Sequence, residues 1–180
     1  TDDNDDDGTA NETISGSITE GDLVASDGTT IFWDYSSMGA TYFNDIAGIG
    51  RDSLSGLNHK QSKSLASDAL VTIGLGAIAS SNLANANGFS SDLNFLVWGN
   101  DDGSLTGAAS NSDLVAESGM VDALQRVWKI AEIGTVGTVQ LAMPKTTVDG
   151  YLSAYSQGDL YLRVADNANL ETNAVDIALT

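Results

Sequence analysis

The sequence predicts an all-β fold: a β-sandwich of mainly antiparallel strands with at most a short helix. Three observations carry this reading. Short runs rich in β-branched and aromatic residues recur along the 180 residues, as in TTIFWDY (29–35) and NFLVWGN (94–100). The runs are separated by turn residues chosen for positive φ, since the chain holds 19 Gly and one Pro. The turn signals come at fairly regular spacing, which is the pattern of a sandwich.

Taken in order, residues 1–12 (TDDNDDDGTANE) are poor in apolar side chains and read as an acidic linker or a first metal loop. Residues 13–180 read as a single domain, long enough for one sizeable core. ISGSI (14–18) alternates but is rich in Gly and Ser. TTIFWDY follows the turn Ser26–Asp27–Gly28. ALVTIGLG (69–76) is a short apolar run, and NFLVWGN is another that ends in an acidic turn. RVWKIAEI (126–133) and TVGTVQLAM (135–143) flank Gly134 and are expected as adjacent strands. LYLRVAD (160–166) and AVDIALT (174–180) complete the set. Two stretches bear on helix. Residues 44–57 (NDIAGIGRDSLSGL) carry too many glycines for a stable one. Residues 112–126, with Ser112 as a cap and Gly119 as an interruption, are the better candidate.

Charge narrows the function. The net charge of −18 opposes binding to nucleic acid and to anionic membranes. No apolar run reaches the ~18–20 residues that span a bilayer, so no membrane insertion is expected. With no Cys, disulfides, Cys-based zinc sites and thiol nucleophiles are excluded. GxSxG and HExxH are absent, and a single His is poor support for zinc or a catalytic base. Paired carboxylates for glycoside hydrolysis are a distant reading among 25 acids. The expectation is a protein that is not an enzyme. Trp33, Trp98 and Trp128 sit in apolar runs and read first as core.

The acids themselves are biased: 20 Asp against 5 Glu, with many of the Asp beside Gly and Asn. Short carboxylates and amides on tight turns can converge oxygens on a hard cation, so Ca²⁺ is the expected cofactor, held by long loops. Asp3-x-Asp5-x-Asp7-Gly8 has the first half of an EF-hand loop, but Ile14 stands where the bidentate Glu belongs; a solvated linker is the alternative. Asn100–Asp101–Asp102–Gly103 follows an apolar strand and is a candidate metal or ligand loop, or an ordinary hairpin turn. Asp45, Arg51 and Asp52 lie in the Gly-rich segment 44–57, which reads as a loop. There Asp can hold a metal and Arg can clamp a carboxylate, or Arg51 simply pairs with a neighbouring acid. His59–Ser64 gathers three potentially cationic side chains, which meet either an anionic ligand or an acidic loop.

Several segments in order resemble a domain family of very large bacterial surface proteins. They are SDGTTIFWDYSSMGATYFNDIAGIGRDSLSGLNHKQSKS (26–64), SDALVTIGLGAIA (67–79), NFLVWGNDDGSL (94–105), RVWKIAEIGTVGTVQLAMP (126–144) and DLYLRVADNANL (159–170). The family is that of the peptide-binding domains of repeats-in-toxin adhesins. The resemblance implies a calcium-stabilised sandwich outside the cell, on the bacterial surface, acting in cell adhesion and biofilm formation as a monomeric module of a longer chain. It implies Asn100, Asp101, Asp102, Asp52 and Asp45 as metal ligands, and Arg51, Gln61, Lys63, Ser64 and Asp101 near the ligand. The implied partner is an extracellular peptide or protein C-terminus on a host or neighbouring cell. A glycan-binding, lectin-like module and a calcium-stiffened spacer are the competing expectations.

Overall fold

The computed structural model describes residues 21–38, 41–105, 123–151, 160–168 and 170–180. Eleven strands and two short helices lie within them. The strands are β1 (Leu23–Val24), β2 (Ile31–Trp33), β3 (Asn44–Asp52), β4 (Leu57–His59), β5 (Gln61–Lys63), β6 (Thr72–Leu75), β7 (Asn94–Asn100), β8 (Trp128–Ile133), β9 (Val139–Ala142), β10 (Tyr161–Val164) and β11 (Val175–Ala178). The helices are α1 (Tyr35–Met38) and α2 (Lys145–Tyr151). All strand pairs are antiparallel, so the fold is all-β as the turn chemistry predicts.

Two sheets form the centre. One runs β4-β3-β7-β8 and the other β5-β6-β9. Between them Ile49, Leu96 and Trp98 meet Val71, Ile73, Leu75, Phe89 and Val136. On β7 the alternate residues Phe95 and Val97 point to the opposite face, where Trp33, Met38 and Ala25 from the β1–β2 hairpin and α1 cover them. All seven residues of β7 are buried. That is why its sequence is a near-continuous apolar run rather than an alternating one. Phe32 stacks on Phe95, with ring centroids 4.6 Å apart. Trp33 and Trp98 are core residues as expected, and Trp128 is partly buried against the inter-sheet cluster.

The Gly-rich segment from residue 44 is β3, a nine-residue strand, where the sequence suggested a loop. The glycines serve packing. Gly50 pairs with Phe95 and Gly48 with Val97. A Cβ on Gly50 would lie 2.3 Å from the Phe95 ring, and one on Gly48 3.0 Å from Val97 Cγ2. The absent side chains leave a cavity of about 240 Å³ along this part of β3, rimmed by Leu23, Ile46, Leu57 and His59. Near its start β3 carries an extra residue: Asn44 pairs with Asn100 but Ala47 already pairs with Trp98. Asp45 within this bulge has φ 52°.

Two further expectations fail. The strands flanking Gly134 are not neighbours, because β8 joins one sheet and β9 the other. Gly134, at φ 75°, lies in the connection between them, where Asn94 packs so closely that a Cβ would sit 2.1 Å from its Oδ1. Helix forms at Tyr35–Met38 and Lys145–Tyr151, neither of which was expected. Asp34 caps the first, accepting from the Ser36 amide at 2.8 Å and from the Ser36 hydroxyl at 2.6 Å. The segment 14–18, the acidic leader 1–12 and most of the expected helix 112–126 fall outside the described residues; residues 123–126 are not helical. No described helix is long and apolar enough to cross a membrane.

Candidate functional site

The acids that matter gather where β3 begins, β7 ends and β8 begins. The central residue is Arg126, just before β8, which is 6% exposed. Its NH1 lies 3.3 Å from Asp45 Oδ2, and its NH2 lies 3.0 Å from Asp68 Oδ2 and 3.2 Å from Asp102 Oδ1. Its Nε donates to the Gly103 carbonyl at 2.9 Å. A planar guanidinium can serve several acceptors in one plane, which a Lys ammonium cannot do in the same way. Three carboxylates against one guanidinium leave an excess of two negative charges, and neighbouring Asp101 adds a third.

The loop that delivers these groups is shaped by its own side chains. Asn100 is fully buried. Its Nδ2 donates to Asp45 Oδ2 at 2.7 Å, and its Oδ1 accepts from the Asp102 amide at 2.9 Å. Asp101 Oδ1 accepts from the Gly103 amide at 2.9 Å and from the Val127 amide at 3.0 Å, tying the loop to the head of β8. These are Asx turns, in which a short side chain substitutes for a backbone acceptor. Asp102 takes φ 57°, so both Asp45 and Asp102 hold the left-handed conformation. Gly103 is required by close approach: a Cβ there would lie 2.8 Å from the Gln125 carbonyl oxygen. Nearby, burial and the Asp101 charge raise the pKa of the Tyr42 phenol.

The structure brings together four of the five expected metal residues: Asp45, Asn100, Asp101 and Asp102. Asp52 is elsewhere, seven residues along β3, roughly 20 Å away at the usual strand rise. It is a structural staple. Its Oδ1 accepts the Ser26 hydroxyl at 2.5 Å, and its Oδ2 accepts the Ser26 amide at 2.8 Å. The amides of Leu54 and Ser55 add to it at 3.2 and 3.4 Å. The Ser26 hydroxyl above all, then the Ser26 amide, hold its pKa down at about 2.

The expected ligand residues do not converge. Arg51 sits beside Asp52 at the far end of β3, 3.9 Å from Asp92 and 3.4 Å from the Ser53 hydroxyl. Gln61 spends both ends of its amide on Ala79, donating to its carbonyl at 2.9 Å and accepting from its amide at 2.8 Å. Ser64 accepts from the Ala66 amide at 3.3 Å. Lys63 is exposed, with no ion pair among the described residues. Lys60, in the same basic stretch, donates to the Asn85 carbonyl and so serves the fold.

Asp68 and Arg126 are the members that sequence reasoning missed. A signal was present for Arg126: it is one of seven basic residues in a −18 chain and opens an apolar run, where a bare charge would be costly. Asp68 had no local signal, because only the fold brings residues 45, 68, 102 and 126 together.

The acceptor set is of the kind a hard cation takes. It is oxygen only, carries excess negative charge, and includes the side chains of Asp68 and Asp102, which are 47% and 69% exposed. Its centre is held by the guanidinium. Among the described residues no group of three or more acidic or histidine side chains is arranged to hold a metal ion.

Comparison with known proteins finds no match among curated proteins and none among solved structures. One family model matches residues 13–180, which is most of the chain. The chain therefore belongs to the family described as a domain of unknown function (DUF8202).

Proposed function

We propose that this chain is a non-enzymatic, calcium-dependent peptide-binding module of a bacterial surface adhesin. One observation supports it best: acids from three separate segments, Asp45, Asp68 and Asp101–Asp102, meet at one loop end with more negative charge than Arg126 neutralises. Asp68, Asp101 and Asp102 are the residues that would draw together to hold calcium, with Asp45 and Asn100 behind them. When bound, calcium would supply the positive charge that lets so acidic a surface receive a peptide's terminal carboxylate. The chain's own residues do the positioning. Asn100 and Asp101 fix the loop through Asx turns, and Arg126 holds Asp45, Asp68 and Asp102 at one point.

The test is a binding titration with a peptide bearing a free C-terminus and with its amidated twin, each in calcium and in EDTA. Binding only by the free acid and only in calcium supports the proposal. Equal binding of both peptides, or binding unaffected by EDTA, contradicts it. One observation favours a second reading, a structural spacer stiffened by charge pairing: Arg126 already engages three of these carboxylates. In that case no peptide binds, while calcium still raises the melting temperature.

A further inference from the structure

We infer that Asn87 is a site of spontaneous covalent modification in the folded protein, closing a ring onto the Gly88 nitrogen and ending as aspartate or isoaspartate. Asn87–Gly88 is the single Asn–Gly step among the chain's 13 asparagines. Ring closure needs the following backbone nitrogen to reach the side-chain carbonyl carbon, and a Cβ on the following residue hinders that. Glycine has none, and the space is open: no atom lies within 4 Å of where a Cβ on Gly88 would stand. Both residues are exposed and lie outside helix and strand. The Gly88 amide, which becomes the nucleophile, donates no hydrogen bond among the described residues. The side chain of Asn87 is held by one bond, from its Nδ2 to Asn85 Oδ1 at 3.0 Å.

The chemistry closes without an oxidant or cofactor. The Gly88 nitrogen gives its proton to solvent base and attacks Asn87 Cγ. The N–Cγ bond forms, the Cγ–Nδ2 bond breaks, and the departing Nδ2 takes a proton from solvent and leaves as ammonia. Water then opens the five-membered imide. Hydrolysis at the side-chain carbonyl restores the normal main chain with an aspartate. Hydrolysis at the main-chain carbonyl leaves isoaspartate, whose backbone is longer by one methylene.

The surroundings make this change consequential. Asn85 is 1% exposed and donates to the carbonyls of Ala77 at 2.7 Å and Leu75 at 3.2 Å. Its Oδ1 is the acceptor for both the amide and the side chain of Asn87. The Asn87 amide group also lies against Gly76, which sits at φ 64°. A carboxylate at this place would replace a donor with negative charge beside an acceptor oxygen. The longer isoaspartate backbone would push on Phe89, a buried core residue two positions on.

The experiment ages the native protein in mildly alkaline, heavy-oxygen water at body temperature and maps its peptides by mass spectrometry. Expected is conversion at Asn87 ahead of every other asparagine, with uptake of one labelled oxygen and a rate that rises with pH. Asn87→Ala should abolish the event, and Asn87→Asp should lower Tm by about 2–4 °C through the lost bond to Asn85. An unchanged Asn87 in the native protein, alongside conversion in a urea-unfolded control, would overturn the proposal. That result would mean the bond to Asn85 locks the side chain out of reach.

Discussion

Arg126 is the one buried cation among the described residues, and three carboxylates depend on it. Removing one partner of a buried charge cluster costs more than the cluster's net worth, because the others are left uncompensated. Only Asp45 among its partners is largely buried, so Arg126→Ala should destabilise the domain by ~1–3 kcal/mol in urea unfolding carried out in EDTA. Arg126→Lys should recover only part of it, since a point charge cannot reproduce the fork that also reaches the Gly103 carbonyl. A fully stable Arg126→Ala protein would show that the cluster contributes little. Asp52 gives a prediction in pH. Its folded pKa of about 2 lies below the unfolded value of ~3.9. A lowered carboxylate pKa contributes stability that is fully present above the unfolded pKa and lost as pH falls through the folded one. The stability gap between the wild type and Asp52→Asn should be flat near neutrality and shrink as the pH falls from about 4 toward 2. A gap that does not change with pH would mean the staple works without its charge.

At the scale of elements, the strands differ in how plainly the sequence announces them. β7 is legible because both its faces are covered, so apolar side chains run almost unbroken from Phe95 to Trp98. β3 is not, because Gly48 and Gly50 interrupt its apolar pattern to make room for Phe95 and Val97 on the next strand. Local propensity marks Gly as loop; cross-strand packing makes it strand. Gly50→Ala should cost ~1–3 kcal/mol by overpacking against the Phe95 ring, and Gly50→Ala combined with Phe95→Leu should recover part of that loss. Additive losses in the double variant would contradict this reason for the glycine. The site follows the same division. The Asn100–Asp102 loop was legible because turn chemistry is local. Asp52 was misplaced because its carboxylate closes a turn with Leu54 and Ser55 and pins Ser26, a role that also selects Asp. Asp68 and Arg126 needed the fold, since their partners are distant in sequence.

For the molecule as a whole, the bias toward Asp has two causes that composition cannot separate. Some Asp side chains are turn and cap acceptors. Asp27, held low in pKa chiefly by the Thr30 hydroxyl, is one, and Asp34 at the start of α1 is another. Others converge with Arg126 and leave charge in excess, and only these enter the proposed metal site. The proposed function therefore stands on one loop end rather than on the net charge of −18. Isothermal titration of the full chain with calcium tests it most directly, comparing the wild type with Asp101→Asn/Asp102→Asn, followed by the free-acid peptide. Expected are calcium binding that the double variant loses and peptide binding that appears only after calcium is added. Calcium binding of equal strength in both proteins, or peptide binding without calcium, would contradict it.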